Sequence, residues 1–218
     1  MEYHKINGLY KRYRKDLKEK LPEGKSYGDF RIGDFALPVF EYLFNNDWIW
    51  SEKLDGTNIR IYLNIDGSYT LKGRTEKSNI PKDLVAWVDN WYCINQQKIY
   101  EAFKLTEDSC VILYGEGVGE KIQKGGGFGK QHFKLFDVYV NGWWLEKDAV
   151  DAIGTALSLD TPNTWVGTIQ DAIESVKSKP KSSFGDFEIE GWVGQPLVRL
   201  SDARGNRIVT KIKVRDFK

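Results

Sequence analysis

Stretches in which hydrophobic and polar residues alternate run through the middle of the chain and indicate β-strands. Ile59, Ile61 and Leu63 alternate with polar neighbours, as expected of a strand that buries one face. The Asp-Gly pair at residues 66–67 predicts a tight turn into a second strand over residues 69–72. Further strands are predicted to begin at residue 48 and to cover residues 111–114, 133–140, 143–145, 187–193, 196–200 and 207–214.

Helical spacing of hydrophobic residues is confined to a few segments. Pro81 stands where a helix can begin, and hydrophobic residues follow it at helical spacing as far as Tyr92. Two more helices are predicted near residues 147–157 and 168–177, and a short basic helix is predicted over residues 8–20. Strands joined by hairpins, with helices between them, predict an α+β fold with antiparallel sheets.

The composition is that of an ordinary folded protein. Of the 218 residues 41% are hydrophobic and 29% are charged, and no hydrophobic run approaches the roughly 20 residues of a membrane span. The first 20 residues are polar and basic and resemble no secretory signal, and two cysteines cannot form a disulfide scaffold. We expect one domain over residues 1–218 in the cytoplasm, with a basic N-terminal segment over residues 1–47 packed on it.

Positive charge is concentrated at the two ends of the sequence, although the net charge is only +1. Residues 1–26 contain eight Lys and Arg against four Asp and Glu, and residues 199–218 contain seven against two. Such clusters are typical of a surface that binds phosphates and, more often, of an ordinary solvated surface. Charge alone leaves both interpretations open.

Several familiar catalytic motifs do not fit the sequence. The glycine-rich stretches at residues 115–119 and 125–130 are not a Walker A loop, because Lys124 replaces the first glycine and Gln131 follows the lysine. The two histidines lie far apart in the sequence, which leaves little for a Ser-His-Asp site or a zinc site. The basic glycine-rich loop over residues 121–134 is as compatible with a phosphate contact as with a mobile surface loop.

The most informative segment is Glu-Lys-Leu-Asp-Gly-Thr-Asn at residues 52–58. Lys53 stands at the end of a predicted strand, and a tight Asp-Gly turn leads into the next strand. This segment resembles the nucleophile motif of the covalent nucleotidyltransferases, the superfamily of RNA ligases, DNA ligases and mRNA capping enzymes. It is most similar to phage-type ATP-dependent RNA ligases of the branch that seals nicks in double strands.

Five further segments resemble the other motifs of this superfamily and follow in the same order. They are an arginine motif at residues 73–75, an acidic motif at 113–116, an aromatic-Asp motif at 133–138, a Glu-Gly motif at 188–193 and a Lys-x-Lys motif at 208–213. Each motif is short, but six in order over most of the chain argue against coincidence. The resemblance implies an adenylyltransferase domain, similar to ATP-grasp-like ligase domains, in which two antiparallel sheets with flanking helices form a nucleotide cleft.

The chemistry that the resemblance implies is nucleophilic. The amine of Lys53 attacks the α-phosphorus of ATP, releases pyrophosphate and forms covalent lysyl-AMP. A lysine amine is ordinarily protonated and inert at neutral pH, and nearby cations and desolvation favour the neutral form. Lys211, Lys213 and a bound Mg²⁺ or Mn²⁺ are expected to supply this positive charge and to hold the α-phosphate.

The resemblance also assigns residues to the rest of the nucleotide. Glu52 is expected to accept a hydrogen bond from the adenine amino group, because a carboxylate is an acceptor only. Asn58 and Arg74 are expected to hold phosphate or sugar oxygens. Glu116 is expected to bind the ribose hydroxyls, with an exposed acid at the end of a strand as the alternative.

Two of the expected roles have a competing residue nearby. Phe136 is expected to stack on the purine, and Phe133 takes this role if the register of the motif is shifted. Glu190 is expected to bind the divalent metal through carboxylate oxygens, and Glu188 is its competitor. The glycine that follows Glu190 fits the family motif and favours Glu190.

The expected function is ATP-dependent ligation of RNA, in which a 3′-hydroxyl and a 5′-phosphate are joined through lysyl-AMP and an adenylylated 5′ end. The expected partner is nicked or end-bearing RNA, or else DNA or an RNA/DNA hybrid, and the protein is expected to be a monomer without membrane association. Its setting is nucleic-acid repair, in the host cytoplasm if the protein is phage-encoded. Because the sequence ends five residues after Lys213, no OB-fold domain is expected. The alternatives are a minimal DNA ligase, an adenylyltransferase without the joining step, and a non-catalytic module that binds nucleic-acid ends.

Overall fold

The computed structural model describes residues 2–123 and 127–217. The chain divides into two compact units, unit 1 with Met1–His4 and Leu54–Pro162, and unit 2 with Lys5–Lys53 and Asn163–Lys218. Each unit has a hydrophobic core of its own. In the described residues the elements are, in chain order, β1 (Asn7–Gly8), β2 (Tyr10–Arg12), β3 (Phe30–Phe35), α1 (Pro38–Tyr42), β4 (Trp48–Lys53), β5 (Thr57–Leu63), β6 (Tyr69–Gly73), α2 (Lys82–Phe103), β7 (Val111–Val118), β8 (His132–Val140), β9 (Trp143–Trp144), α3 (Lys147–Ala156), β10 (Thr164–Gly167), α4 (Ile169–Lys177), β11 (Gly191–Pro196), β12 (Thr210–Lys213) and a 3₁₀ helix (Val214–Phe217).

Unit 2 is built on a five-stranded sheet in the order β1-β12-β11-β4-β10. All neighbours in this sheet are antiparallel except β1 and β12, which are parallel. Trp48 and Trp50 on β4 are completely buried, and the ring of Trp50 stacks on that of Trp165 with 6.2 Å between ring centroids. Because alternate residues of a strand face the same side, these tryptophans bury one face of β4 in the core.

The N-terminal segment forms strands, and the basic helix predicted over residues 8–20 is wrong. Tyr10 is aligned with Phe35 in a two-stranded sheet of β2 and β3, and Leu9 and Tyr10 are both buried in the core of unit 2. The local sequence pattern contains no information about a pairing strand some twenty residues further on, and that pairing decides the conformation here. The segment is an integral part of unit 2, because β1 also pairs with β12.

Unit 1 contains the second five-stranded sheet, in the order β6-β5-β7-β8-β9, and every neighbouring pair in it is antiparallel. The predicted Asn-Gly turn joins β8 to β9, with φ angles of 47° at Asn141 and 97° at Gly142. Positive φ at both positions is the signature of the tight hairpin turn that this pair favours. Leu84 and Val88 of α2 pack in one core cluster with Ile59 of β5.

The predicted fold class, α+β with antiparallel sheets and flanking helices, is confirmed by this arrangement. Helices α2, α3 and α4 begin within one residue of their predicted starts. The C-terminal strand predictions are only partly right. Strand β11 covers Gly191–Pro196 and β12 covers Thr210–Lys213, and the separate strand predicted over residues 196–200 is wrong, because residues 197–200 belong to no strand. Residues before β11 form a separate short pairing, in which Ile189 N donates to Pro180 O at 3.1 Å. In the described part of the chain, no helix is both long and apolar enough to cross a membrane.

Candidate active site

Lys53 is the last residue of β4 and lies in unit 2 beside the start of β11. Gly191 of β11 is aligned with Lys53 on one side and with Lys213 of β12 on the other. Neighbouring strands are about 4.8 Å apart, so the two lysines flank Gly191 on adjacent strands. Glu190, the residue before Gly191, is therefore within reach of both lysine side chains.

The carboxylate of Glu190 bridges the two lysines. Lys53 Nζ donates to Glu190 Oε2 at 2.5 Å, and Lys213 Nζ donates to Glu190 Oε1. Burial raises the pKa of Glu190, but the positive charges and hydrogen bonds of Lys53 and Lys213 outweigh burial, so that its pKa lies below the ordinary value. Two ammonium groups against one carboxylate leave a net positive charge, which suits a phosphate ligand.

Gly191 is needed for this arrangement because β12 passes too close for a side chain. A Cβ atom on Gly191 would lie 2.0 Å from the carbonyl oxygen of Ile212 and 2.6 Å from the Cα of Lys213. The Glu-Gly pair predicted as the fourth motif therefore has a physical basis. The glutamate supplies the bridging carboxylate, and the glycine lets the lysine-bearing strand approach.

Lys211 and Lys213 lie on the same face of β12. Ile212 between them is completely buried in the core of unit 2, so the two lysines point to the opposite side of the strand. Lys211 is aligned with Val193 on β11. The structure thus brings Lys53, Glu190 and Lys213 into direct contact and places Lys211 on the same strand face as Lys213.

Glu52 is placed differently from its neighbour Lys53. It lies on the core-facing side of β4, like Trp50, and only 5% of its surface is exposed. Its carboxylate accepts hydrogen bonds from Ser182 Oγ at 2.5 Å, Ser183 N at 2.9 Å and Ser183 Oγ at 2.7 Å. No sequence pattern pointed to these two serines, and the expected contact of Glu52 with adenine stays a prediction.

In unit 1, Asn58 of β5 and Glu116 of β7 are directly opposite each other. Asn58 Oδ1 is a buried atom without a hydrogen-bond partner among the described residues. Buried acceptors normally have a donor, so this oxygen is a candidate contact for a ligand. Gly56 permits the close packing here, because a Cβ atom on it would lie 2.2 Å from Gly117 O and 2.7 Å from Glu116 Cγ.

Phe136 lies at a β-bulge in strand β8. Tyr114 is aligned with Asp137, and the next residue, Gly115, is aligned with Leu135, so that Phe136 is the extra residue of the bulge. A bulge bends the strand and changes the direction of a side chain, and bulges are common beside active sites. The sequence motif contains no signal for this irregularity.

The two candidate phenylalanines have different surroundings. Phe133 is 1% exposed and belongs to the core of unit 1, which leaves its ring no free face for a purine. Phe136 is only partly buried, and its ring packs edge-to-face with that of Tyr3, with 5.2 Å between centroids and 75° between planes. Tyr3, which the sequence reasoning missed, is fixed by a 2.9 Å hydrogen bond from its hydroxyl to Asp137 Oδ2.

Arg74 follows β6 and has an exposed side chain. The residue before it, Gly73, is held by Arg60, whose Nε and Nη2 both donate to the Gly73 carbonyl oxygen at 2.9 Å and 2.7 Å. Arg60 is completely buried and also donates to the Tyr62 hydroxyl at 3.2 Å. The sequence reasoning missed Arg60, because the alternation of residues 59–63 assigns it to the polar face of the strand.

Residues 115–118 of the first glycine-rich stretch are part of β7, and Gly119 follows directly after the strand. A Cβ atom on Gly115 would lie 2.2 Å from the Phe133 ring, and one on Gly117 would lie 2.4 Å from Leu84. These glycines admit close packing of the strand against the core. In the second stretch residues 124–126 lie outside the described residues, so the phosphate contact considered for that loop stays a prediction.

The sequence model of the RNA ligase family matches residues 46–213, a span that contains every predicted site residue. The chain belongs to the RNA ligase family. Lys53, Glu190 and Lys213, which meet at the ends of three neighbouring strands, all lie within the matched span. Among curated proteins, no sequence matches this member of the RNA ligase family.

Solved RNA ligases share the fold of this family member. A variant of the Naegleria gruberi RNA ligase with ATP and Mn is 16% identical, the match covers 99% of this chain and 63% of that chain, and the TM-score is 0.60. The Naegleria gruberi RNA ligase with PPi is 17% identical, with 95% and 59% coverage and a TM-score of 0.61. A further variant with AMP and Mn is 15% identical, with 97% and 57% coverage and a TM-score of 0.59. The chain thus spans about three fifths of these proteins, and at this identity the likeness establishes the fold.

Glu190 is the residue of this site predicted to bind a divalent metal, and its carboxylate has the oxygen donors that such a metal prefers. Within residues 2–123 and 127–217 no group of three or more His, Cys, Asp or Glu side chains could hold a metal ion. Mg²⁺ is usually bound by one or two carboxylates together with substrate phosphates and water. The donor set therefore fits a metal ion that binds together with a nucleotide, and it does not fit a permanent metal centre.

Proposed function

We propose that this chain is an ATP-dependent RNA ligase that works through covalent lysyl-AMP. The observation that carries the proposal is the contact between Lys53 and Glu190 beside Lys213, within the segment that matches the RNA ligase family. Solved proteins of the same fold support it, because their descriptions name ATP, AMP, PPi and Mn. These are the substrate, the transferred group, the leaving group and a metal ion suited to such a reaction.

In the first step the amine of Lys53, after losing its proton, attacks the α-phosphorus of ATP. A phosphorus–nitrogen bond forms, the bond from the α-phosphorus to the bridging oxygen breaks, and pyrophosphate leaves. Lys213 and Lys211 offset the negative charge of the phosphates during this transfer. A divalent ion, Mg²⁺ or Mn²⁺, held through Glu190 would supply further positive charge to the phosphate oxygens.

The family resemblance also implies nucleotide contacts for four residues of unit 1, and we propose these contacts one residue at a time. Asn58 Oδ1 is an acceptor without a partner in the described structure, so a sugar hydroxyl suits it, while its amide nitrogen can donate to a phosphate. Glu116 accepts hydrogen bonds from ribose hydroxyls, and Arg74 binds a phosphate. Phe136, which lies at the bulge of β8 and packs edge-to-face with Tyr3, stacks on the purine.

In the later steps AMP passes from Lys53 to the 5′-phosphate of a nucleic-acid end. A 3′-hydroxyl then attacks that phosphorus, a phosphodiester bond forms and AMP is released. We propose a nick in double-stranded RNA as the substrate, by resemblance to the phage-type nick-sealing branch, and RNA repair as the corresponding role. A monomer acting in the cytoplasm as a single nucleotidyltransferase domain is part of this proposal, and DNA or a hybrid is the alternative substrate.

The first test is the intact mass of freshly purified protein after incubation with ATP and Mg²⁺. Wild type is expected to gain one AMP, and the adduct is expected to disappear on addition of pyrophosphate. Lys53→Ala and Lys53→Arg should form none, since neither presents an amine at that position. No adduct on wild type, with none carried over from expression, would contradict the proposal and favour a non-catalytic end-binding module. Adduct formation without sealing of nicked RNA or DNA would favour the alternative that the protein is an adenylyltransferase without the joining step.

The basic segment over residues 5–25 is proposed to contribute to nucleic-acid binding. Leu9 and Tyr10 are buried in unit 2, so deletion of the segment would remove part of a hydrophobic core. Exposed lysines of the segment are therefore the better target, and Lys15 and Lys18 are two of them.

Alanine at both lysines should lower the slope of log affinity for RNA against log salt by about 0.7–0.9 for each lysine that neutralises a phosphate in the wild type. Lys98→Ala, which removes an exposed lysine on α2, should leave the slope unchanged. An unchanged slope in the Lys15→Ala/Lys18→Ala variant would exclude these lysines from the nucleic-acid contact.

A further inference from the structure

Two serines of unit 2 hold the carboxylate of Glu52. Ser182 Oγ donates to Oε1 at 2.5 Å, while the backbone nitrogen and the hydroxyl of Ser183 donate to Oε2 at 2.9 Å and 2.7 Å. Glu52 is 5% exposed and Ser182 is 9% exposed. A buried carboxylate is costly unless it is hydrogen-bonded, so these three bonds decide where the carboxylate lies.

The segment that carries the serines is itself fixed. Ser182 N donates to Phe187 O at 2.7 Å, and Ser182 Oγ accepts a hydrogen bond from Phe184 N at 3.1 Å. Because the Ser182 hydroxyl already accepts from Phe184, its own hydrogen is directed to Glu52. An isolated antiparallel β-bridge between Lys181 and Glu188 joins the two ends of the segment. The donors to Glu52 are therefore oriented before any ligand binds.

The hydrogen bonds occupy the carboxylate unevenly. A carboxylate has about four acceptor positions, two on each oxygen. Oε2 of Glu52 receives two hydrogen bonds and Oε1 receives one. Among the described residues one acceptor position is therefore left on Oε1.

We infer that Ser182 and Ser183 are positioning residues that make Glu52 selective for adenine. This inference rests on the proposed function, in which Glu52 accepts a hydrogen bond from the adenine amino group. The serines orient the carboxylate so that its remaining acceptor position, on Oε1, receives that amino group. A guanine base presents a carbonyl oxygen in place of the amino group, and two acceptors facing each other repel.

The test compares ATP with GTP, both by calorimetric binding and by the rate of adduct formation in intact-mass measurements. In the Ser182→Ala/Ser183→Ala variant the preference for ATP over GTP should fall about tenfold, because the carboxylate is no longer held in one orientation. Glu52→Ala should lose the same preference, and the combined triple variant should lose no more than Glu52→Ala alone.

Two controls separate positioning from general damage. Ser183→Thr keeps the hydroxyl on an exposed residue and should keep the preference. Ser178→Ala should leave it unchanged, because Ser178 Oγ donates to Ser175 O and not to Glu52. Where the double variant unfolds, Ser183→Ala alone carries the test, with a smaller fall in the preference expected.

An equal loss of ATP and GTP binding in the serine variants would overturn the inference, since a purely structural defect lowers both. An unchanged preference in the serine variants would overturn it as well. If wild type forms no adduct but binds ATP in preference to GTP, the proposed ligase activity fails while the inference is still tested by binding. If wild type binds neither nucleotide, both fail.

Discussion

Lys53 and Glu190 are 137 residues apart in the sequence, yet the lysine amine donates a 2.5 Å hydrogen bond to the glutamate carboxylate. They meet because β4 and β11 are antiparallel neighbours and Lys53 is aligned with Gly191. The same carboxylate contacts Lys213 from the other side. Glu190 thus contacts both the proposed nucleophile, Lys53, and a proposed phosphate-binding lysine, Lys213. Substitution of Glu190 therefore tests these contacts without any substrate.

Glu190→Gln should lower the free energy of unfolding by about 1–3 kcal/mol at neutral pH, because Lys53 and Lys213 lose their shared counter-ion. The pKa of Glu190 lies below its ordinary value of 4.5 in the folded chain. A lowered carboxyl pKa gives stability that is complete above the unfolded value and is lost as the pH falls through the folded value. The difference between wild type and variant in urea unfolding should therefore shrink as the pH falls below 4.5.

Glu188→Gln is the matched control for this measurement. Glu188 is exposed and lies two residues away on the same segment. Its substitution should change the free energy of unfolding by less than about 0.5 kcal/mol at any of these pH values. A larger effect at Glu188 than at Glu190 would mean that the fourth motif had been read in the wrong register.

Gly191→Ala tests the close approach of β12. Its Cβ atom would meet the Ile212 carbonyl oxygen at 2.0 Å, so the strand that bears Lys213 must shift. We expect a loss of about 2–5 kcal/mol in the free energy of unfolding and a weaker adenylylation reaction.

Gly205→Ala is the control for Gly191→Ala, because it introduces backbone strain without steric contact between the added Cβ atom and its neighbours. Gly205 has a φ of +79°, and a Cβ atom there would have no neighbour within 4 Å, so alanine at this position costs strain alone, about 1–2 kcal/mol. Equal losses for the two glycine variants in urea unfolding would show that crowding at Gly191 is not what matters.

The parts of the fold that sequence predicted are those set by neighbouring residues. Helix α2 follows Pro81 with the expected spacing, and the Asn141-Gly142 turn has the positive φ angles that its composition favours. The helix predicted over residues 8–20 failed because Tyr10 lies in a strand fixed by pairing with Phe35. Local propensity is a weak guide where a distant strand supplies the hydrogen bonds.

The same distinction between local signals and distant contacts applies to the candidate site. The order of motifs pointed to Lys53 and Glu190, which lie in direct contact, while their roles in the reaction stay predictions. Ser182 and Ser183 could not have been found, because a serine pair has no distinctive spacing and its partner, Glu52, is about 130 residues away. The bulge at Phe136 could not be predicted from the sequence either, because the extra residue is defined only by the register with the neighbouring strand β7.

Phe133→Ala should mainly lower the stability of the fold, whereas Phe136→Ala should mainly weaken ATP binding. Phe133 belongs to the core, so its truncation should cost about 3–5 kcal/mol of unfolding free energy. Phe136 is only partly buried, so its truncation should cost about 1–2 kcal/mol and chiefly weaken ATP binding. Urea unfolding and calorimetric titration with ATP give the two quantities. Unaltered ATP affinity in Phe136→Ala would remove this residue from the proposed nucleotide contacts.

Arg60→Met tests whether a buried arginine supports Arg74. The substitution leaves the Gly73 carbonyl oxygen and the Tyr62 hydroxyl without the donors that Arg60 provides, which should cost about 2 kcal/mol in urea unfolding. Lys72→Met is the control, because Lys72 forms a partly exposed ion pair with Glu76 and should contribute at most about 0.5 kcal/mol.

The same variant tests the proposed role of Arg74 in the reaction. Gly73 directly precedes Arg74. Loss of the hydrogen bonds from Arg60 to the Gly73 carbonyl oxygen should therefore displace Arg74 and slow adenylylation. If Arg60 acts through Arg74, the Arg60→Met change should slow the reaction in wild type but add little in an Arg74→Ala background. Additive losses of rate in the double variant would instead mean that Arg60 affects the reaction through the stability of the sheet, since independent effects add while effects that share one interaction do not.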